Sequence, residues 1–122
     1  KGMGTSQSSP KASSNEATDQ RARFEKAMID LKAFHYAPAF RAFQKLAEEG
    51  HLESQHRLAM MHRFGLGTET DYKKAVEWLF KAANRGFLDS QYHLGIMYEN
   101  GWGVTKNLEV ANYWLEKAKE TK

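Results

Sequence analysis

The chain has 122 residues, 41% of them hydrophobic, and no cysteine. This suits one domain with a modest core and rules out disulfides, thiolate metal sites and cysteine nucleophiles. Of its +3 net charge, four basic and two acidic residues fall before Phe24, leaving 14 against 13 in the rest, so the remainder lacks the dense basic stripe that a nucleic-acid binder needs to displace counterions.

The start, KGMGTSQSSPKASSN, is rich in Ser, Gly and Thr. Residues 1–18 are expected to be a disordered tail or linker, because they offer little to bury against the entropy cost of ordering. No apolar run approaches the roughly 18 residues of a membrane span, and the chain is expected not to insert into a membrane.

The elements that follow are fixed by a repeat. SQHRLAMMHRFGLGTETD, residues 54–71, returns 36 residues later as SQYHLGIMYENGWGVTKN, residues 90–107, and the offset holds without a gap to the end. Self-similarity at this period marks stacked supersecondary units. Shifting back once more places Ala39, Lys45, Ala47 and Gly50 under Ala75, Lys81, Ala83 and Gly86. A divergent first unit, residues 19–53, is therefore predicted. Its first helix carries Phe24, Ala27, Met28 and Leu31 at i, i+3, i+4, i+7, a shortened turn follows near FHYAP, and Pro38 is tolerated early in the second helix.

In the second unit, residues 54–89, Leu58, Met61 and His62 share one stripe of a helix A, while Ala75, Trp78, Leu79 and Ala82 mark a helix B. Gly65 and Gly67 between them supply the backbone freedom to end helix A and reverse the chain. Asp71 is placed to cap helix B, and Gly86 to end it. The third unit, residues 90–122, repeats each feature: Leu94, Met97 and Tyr98, then Gly101 and Gly103, then Asn107, then Ala111, Trp114, Leu115 and Ala118. One stripe differs, for Val76, Phe80 and Ala83 become Asn112, Glu116 and Lys119. A polar outer face is what a terminal repeat requires.

The blocks LAMMHRFGLGTETDYKKAVEWLFKAANRG and LGIMYENGWGVTKNLEVANYWLEKAK resemble the Sel-one-like repeat family, a branch of the tetratricopeptide-like superfamily. The resemblance implies an all-α fold, a right-handed α/α superhelix of three antiparallel helical hairpins, acting as an adaptor whose concave surface is lined by A helices. Three positions depart from the family pattern: Ala59 where glycine is favoured, His62 where tyrosine is, and Thr68 where valine is.

Five histidines raise the question of a metal or of catalysis. His56 and His62 are six apart and face different ways on a helix, and no HExxH or calcium-loop pattern occurs. His62 is expected to fill the core slot that Tyr98 fills one unit on. Ser54 and Ser90 read as helix-start residues. No catalytic residue, metal site or cofactor is expected, and the antibiotic hydrolysis linked to cysteine-rich relatives does not carry over to a chain without cysteine. Trp102 is expected to pack on its own hairpin, with an exposed anchor as the other reading.

What remains is a surface. His56, Met60 and Arg63 on one A helix match Tyr92, Ile96 and Glu99 on the next, each set at i, i+4, i+7, with Glu25, Ile29 and Lys32 as the first-unit set within one residue of register. By resemblance these line the concave groove. The reading is a non-enzymatic, monomeric protein-binding module that takes a peptide or helix of another protein, with no nucleic acid as partner. A hydrolase of cell-wall or antibiotic substrates and a structural docking element of an envelope assembly are the alternatives. The family favours a bacterial periplasmic or secreted setting over the cytoplasm.

Overall fold

In the computed structural model, which describes residues 2–120 and the side chains of residues 15–120, six helices and no strand are found among the described residues. They are α1 (Gly2–Lys32), α2 (Tyr36–Glu48), α3 (Leu52–Phe64), α4 (Tyr72–Asn84), α5 (Leu88–Asn100) and α6 (Leu108–Glu120). Each packs chiefly on its neighbours in the chain, α1 on α2 through to α5 on α6. The result is three helical hairpins stacked in sequence order as a helical solenoid.

Most of the expected tail lies outside the described side chains. Its last four residues, Asn15, Glu16, Ala17 and Thr18, are helical and exposed. Arg23 pairs with Asp19 one turn back at 2.8 Å and with Glu49 at the end of α2 at 2.6 Å, and Gln20 also donates to Glu49. These contacts tie α1 to α2 above the point where its apolar stripe begins.

The turns follow the repeated glycines. Gly65 and Gly101 end α3 and α5 in the left-handed conformation, at φ 69° and 71°, and their N–H groups return to the carbonyls of Met61 and Met97. Gly67 and Gly103 do a different job. A Cβ on Gly67 would come within 2.5 Å of the Tyr36 carbonyl, and one on Gly103 would collide with the Tyr72 carbonyl. The second glycine of each Gly-x-Gly thus lets the loop lie on the first turn of the preceding B helix. Asp71 and Asn107 cap α4 and α6, accepting from the N–H of Lys74 at 3.0 Å and of Val110 at 3.1 Å.

The core forms two clusters. One holds Ala27, Ala39, Phe43, Ala47, Leu58 and Met61; the other is built on Ala59, Ala75, Val76, Leu79, Leu94, Met97 and Trp114. Helix α3 feeds both, so its Leu58 and Met61 point back while Ala59 points forward. Trp78 packs against both clusters and joins them. His62 is buried in the slot expected of it, edge-on to Phe40 at 5.4 Å. Burial lowers its pKa, as does nearby Lys74, so it packs as a neutral ring.

Two buried amides hold successive hairpins in register. Gln55 Nε2 donates to the Ala47 carbonyl at 3.2 Å, and Gln91 Nε2 to the Ala83 carbonyl at 3.1 Å. Each adds a second, inter-hairpin donor to a carbonyl near the end of the preceding B helix that already accepts from the turn, Ala47 from the N–H of Gly50 and Ala83 from that of Gly86. At the far end of the stack Asn112, Glu116 and Lys119 are exposed, whereas Val76 and Ala83 at the equivalent positions are buried under α5 and α6. Phe80 covers less than expected: its ring edge meets Trp114 at 6.2 Å while nearly half its surface stays open.

Candidate functional site

The face of α3 that carries His56, Met60 and Arg63 turns toward α5, and the three residues end up in different environments. His56 is 5% exposed. Its Nδ1 lies 2.7 Å from Ser90 Oγ, and its ring packs on Phe87 at 5.1 Å and His93 at 5.8 Å. Burial pushes its pKa down to about 4, with His93 and Arg57 acting in the same direction and Asp89 opposing. His56 is therefore not a groove contact. The next A helix covers it, and its work is to hold α3 on α5.

Met60 is half-buried against the second core cluster. Arg63, also half-buried, sets its Nη1 3.1 Å from His93 Nδ1. A guanidinium can only donate, so His93 must accept at Nδ1 and carry its proton on Nε2. Burial first and Arg63 second lower the His93 pKa, with Asp89 opposing, which keeps the ring neutral beside the cation. The guanidinium carbon lies 4.9 Å from the Phe64 ring centre and 5.2 Å from that of Trp102. Trp102 in turn stacks on Tyr72 at 5.8 Å. The tryptophan of the third unit thus reaches back to α3 and α4 of the second, where packing on its own hairpin was expected. Among the described residues no carboxylate lies within salt-bridge distance of Arg63.

Tyr92, Ile96 and Glu99 hold the same helical positions one unit on, but among the described residues no further A helix covers them. Tyr92 is 49% exposed and borders a depression of about 460 Å³ on the end of the stack, shared with Leu88, Asn112 and Leu115. Ile96 is half-buried and Glu99 exposed. The six residues hence do not form one patch. Met60 and Arg63 lie on the flank between α3 and α5, whereas Tyr92 belongs to the terminal face.

The first-unit set also moves. Helix α1 ends at Lys32 and α2 begins at Tyr36, leaving a three-residue turn against seven residues between α3 and α4. Aligning the helix ends puts Phe24, Met28 and Leu31 opposite His56, Met60 and Arg63, and all three are half-buried on the first core cluster. Glu25, Ile29 and Lys32 are one residue out of register. Ile29, at 67% exposure, takes the position of Met61, which in the second unit packs on a preceding hairpin.

Sequence reasoning missed His93, Phe64 and the reach of Trp102, because none stands on an apolar stripe. The paired Ser-Gln at 54–55 and 90–91 was visible in the repeat and marks the buried amides. No group of three or more histidine or acidic residues among those described could hold a metal ion, and no described helix is long and apolar enough to cross a membrane.

Comparison with known proteins bears on what such a surface does. The Sel1 repeat matches as a family over residues 52–87 and 88–120. Among solved structures, a Sel1 repeat protein from Oxalobacter formigenes is similar with a TM-score of 0.74 and 32% identity, over 78% of this chain and 39% of its own. Another is c5321, a protective antigen present in uropathogenic Escherichia coli strains that displays an SLR fold, with a TM-score of 0.80 and 28% identity over 86% of this chain and 23% of its own. The chain thus spans well under half the length of either. No curated protein matches it.

Proposed function

Because the chain belongs to the Sel1 repeat family, whose repeats generally mediate protein–protein interaction, we propose that it is a non-enzymatic binding module that holds a peptide or helix of a partner on the layer of A helices. The observation that carries this reading is the surface over α3 and α5. Half-buried Met60 offers an apolar anchor on α3, with half-buried Ile96 at the equivalent position of α5, and on the same helix as Met60 stands Arg63, its guanidinium close to two aromatic rings and without an acidic partner among the described residues. Such a mixture of apolar anchor and oriented charge suits recognition of a chain lying in an open groove.

One arrangement favours the hydrolase reading. Ser90 Oγ lies 2.7 Å from His56 Nδ1, as a nucleophile lies beside its base. Yet Ser90 is fully buried, so a substrate carbonyl has no approach. Its counterpart Ser54 likewise meets a histidine, His51 at 2.8 Å, in a local contact at the N-cap of α3.

The reading is tested with peptides selected on the intact protein from a random displayed library and titrated while backbone amide resonances are followed. Shifts are expected around Met60, Arg63 and Ile96. Met60→Ala and Ile96→Ala should each weaken binding by more than about 1 kcal/mol, the loss usual for a central anchor, while Lys81→Glu on α4 should leave it unchanged. Resonance shifts confined to α4 and α6 would place the binding surface on the B helices instead.

A further inference from the structure

We propose that Arg63 is the receptor for an acidic side chain, Asp or Glu, within the bound peptide, a role that presupposes the peptide-binding surface proposed above. A half-buried guanidinium is costly to leave without a counter-charge, and the neighbours of Arg63 do not supply one. Phe64 and Trp102 offer ring faces, and His93 offers a neutral lone pair. These contacts fix the direction of the planar group and take up one of its five N–H donors, leaving a fork that matches a carboxylate. The contrast with Arg23, which closes on Asp19 and Glu49, shows what the fold does with an arginine whose role is internal.

The surroundings point to a side chain and not to a peptide's terminal carboxylate. The A-helix layer continues on both sides of Arg63. Toward the first unit it offers Met28 and Leu31, half-buried and apolar; toward the third it offers exposed Glu99. A chain that ended at Arg63 would leave exposed Glu99, at the equivalent position one unit on, without a counter-charge from the peptide. One that continues can place an apolar residue over Met28, an acidic one at Arg63 and a basic one at Glu99. The pairing of Arg63 with a carboxylate also gains from its setting, because an ion pair flanked by aromatic rings is screened less than one in open water.

The test uses the random displayed peptide library on the full chain and on Arg63→Gln, with Arg63→Lys as a second variant that keeps the charge and loses the fork. Peptides selected on the parent should share Asp or Glu at one position. A selected peptide and its amide counterpart, Asp replaced by Asn, should differ at least tenfold in affinity on the parent, less on Arg63→Lys, and not at all on Arg63→Gln. Thermal melts verify that each variant is folded; should Arg63→Gln fail to fold, the loss of preference is read on Arg63→Lys. Peptides that bind over Met60 and Ile96 without any acidic preference overturn the role of Arg63 and leave the groove standing. Acidic preference that survives in both variants, or enrichment of free C-termini, also overturns it. Peptides that bind only on the B-helix side overturn the groove reading and this one together.

Discussion

Glycine has two distinct duties here, and substitution separates them. Gly86 has φ +89° with open space around its Cβ position, whereas Gly103, at φ +75°, has the backbone of Tyr72 and Lys73 in the way. Gly86→Ala should therefore cost only the left-handed strain of roughly 1–2 kcal/mol. Gly103→Ala should cost about 2–4 kcal/mol, since overpacking adds to that strain. Urea melts of the two variants check the difference, and equal losses would show that the loop moves away freely. His56 makes a second residue-scale prediction. Its unfolded form takes a proton near 6.5, but the folded form resists until about 4 because burial, His93 and Arg57 all disfavour the cation. The unfolded state thus binds more protons in between, so stability is full above pH 6.5 and falls by roughly 3 kcal/mol toward pH 4. His51, His62 and His93 are lowered as well and add in the same direction. Urea melts at several pH values should show this slope, and His56→Gln should flatten part of it.

At the scale of elements, Trp78 tests how the hairpins are joined. It packs on both core clusters while remaining half-buried, with Lys81 Nζ 5.4 Å from its ring centre. Trp78→Ala should cost about 3 kcal/mol, the low end for a large aromatic, because part of its surface already faces water. A loss of cooperativity in the melt is expected with it, since its ring packs on both clusters at once. The element boundaries show what was legible. Helices α3 to α6 follow repeated punctuation, Gly-x-Gly and an Asp or Asn cap, and the reading placed them from those marks. The first hairpin has no such marks: its turn uses Phe34 at φ 65° and three residues in place of seven. A left-handed phenylalanine carries no sequence signal, so the register of α1 slipped by one.

For the whole molecule, the two ends of the stack are the telling features. Asn112, Glu116 and Lys119 cover the outer face of α6, around the depression of about 460 Å³ that Leu88, Tyr92 and Leu115 also line. Restoring the internal pattern with Asn112→Val and Glu116→Phe should give an apolar face that self-associates, which sedimentation at rising concentration would show as a dimer. A sedimentation profile unchanged from that of the parent would mean that polarity at these positions is not what keeps the face apart.

The repeat in the sequence by itself determined the all-helical class, the number of hairpins, the capping residues and the burial of His62, because each rests on local backbone chemistry or on periodicity within one helix. It also marked Asn112, Glu116 and Lys119 as a polar face, and all three are exposed. Only the tertiary structure decided the fate of the candidate surface. His56 and Tyr92 hold the same position in their helices, yet one is buried and the other half open, because α5 covers α3 and no described helix covers α5. Periodicity within a helix fixes which residues share a face; whether that face meets water depends on the neighbour stacked against it. The cradle around Arg63 depends on the same fact, for Trp102 and His93 reach it from the next unit, at distances in the chain that no local pattern encodes.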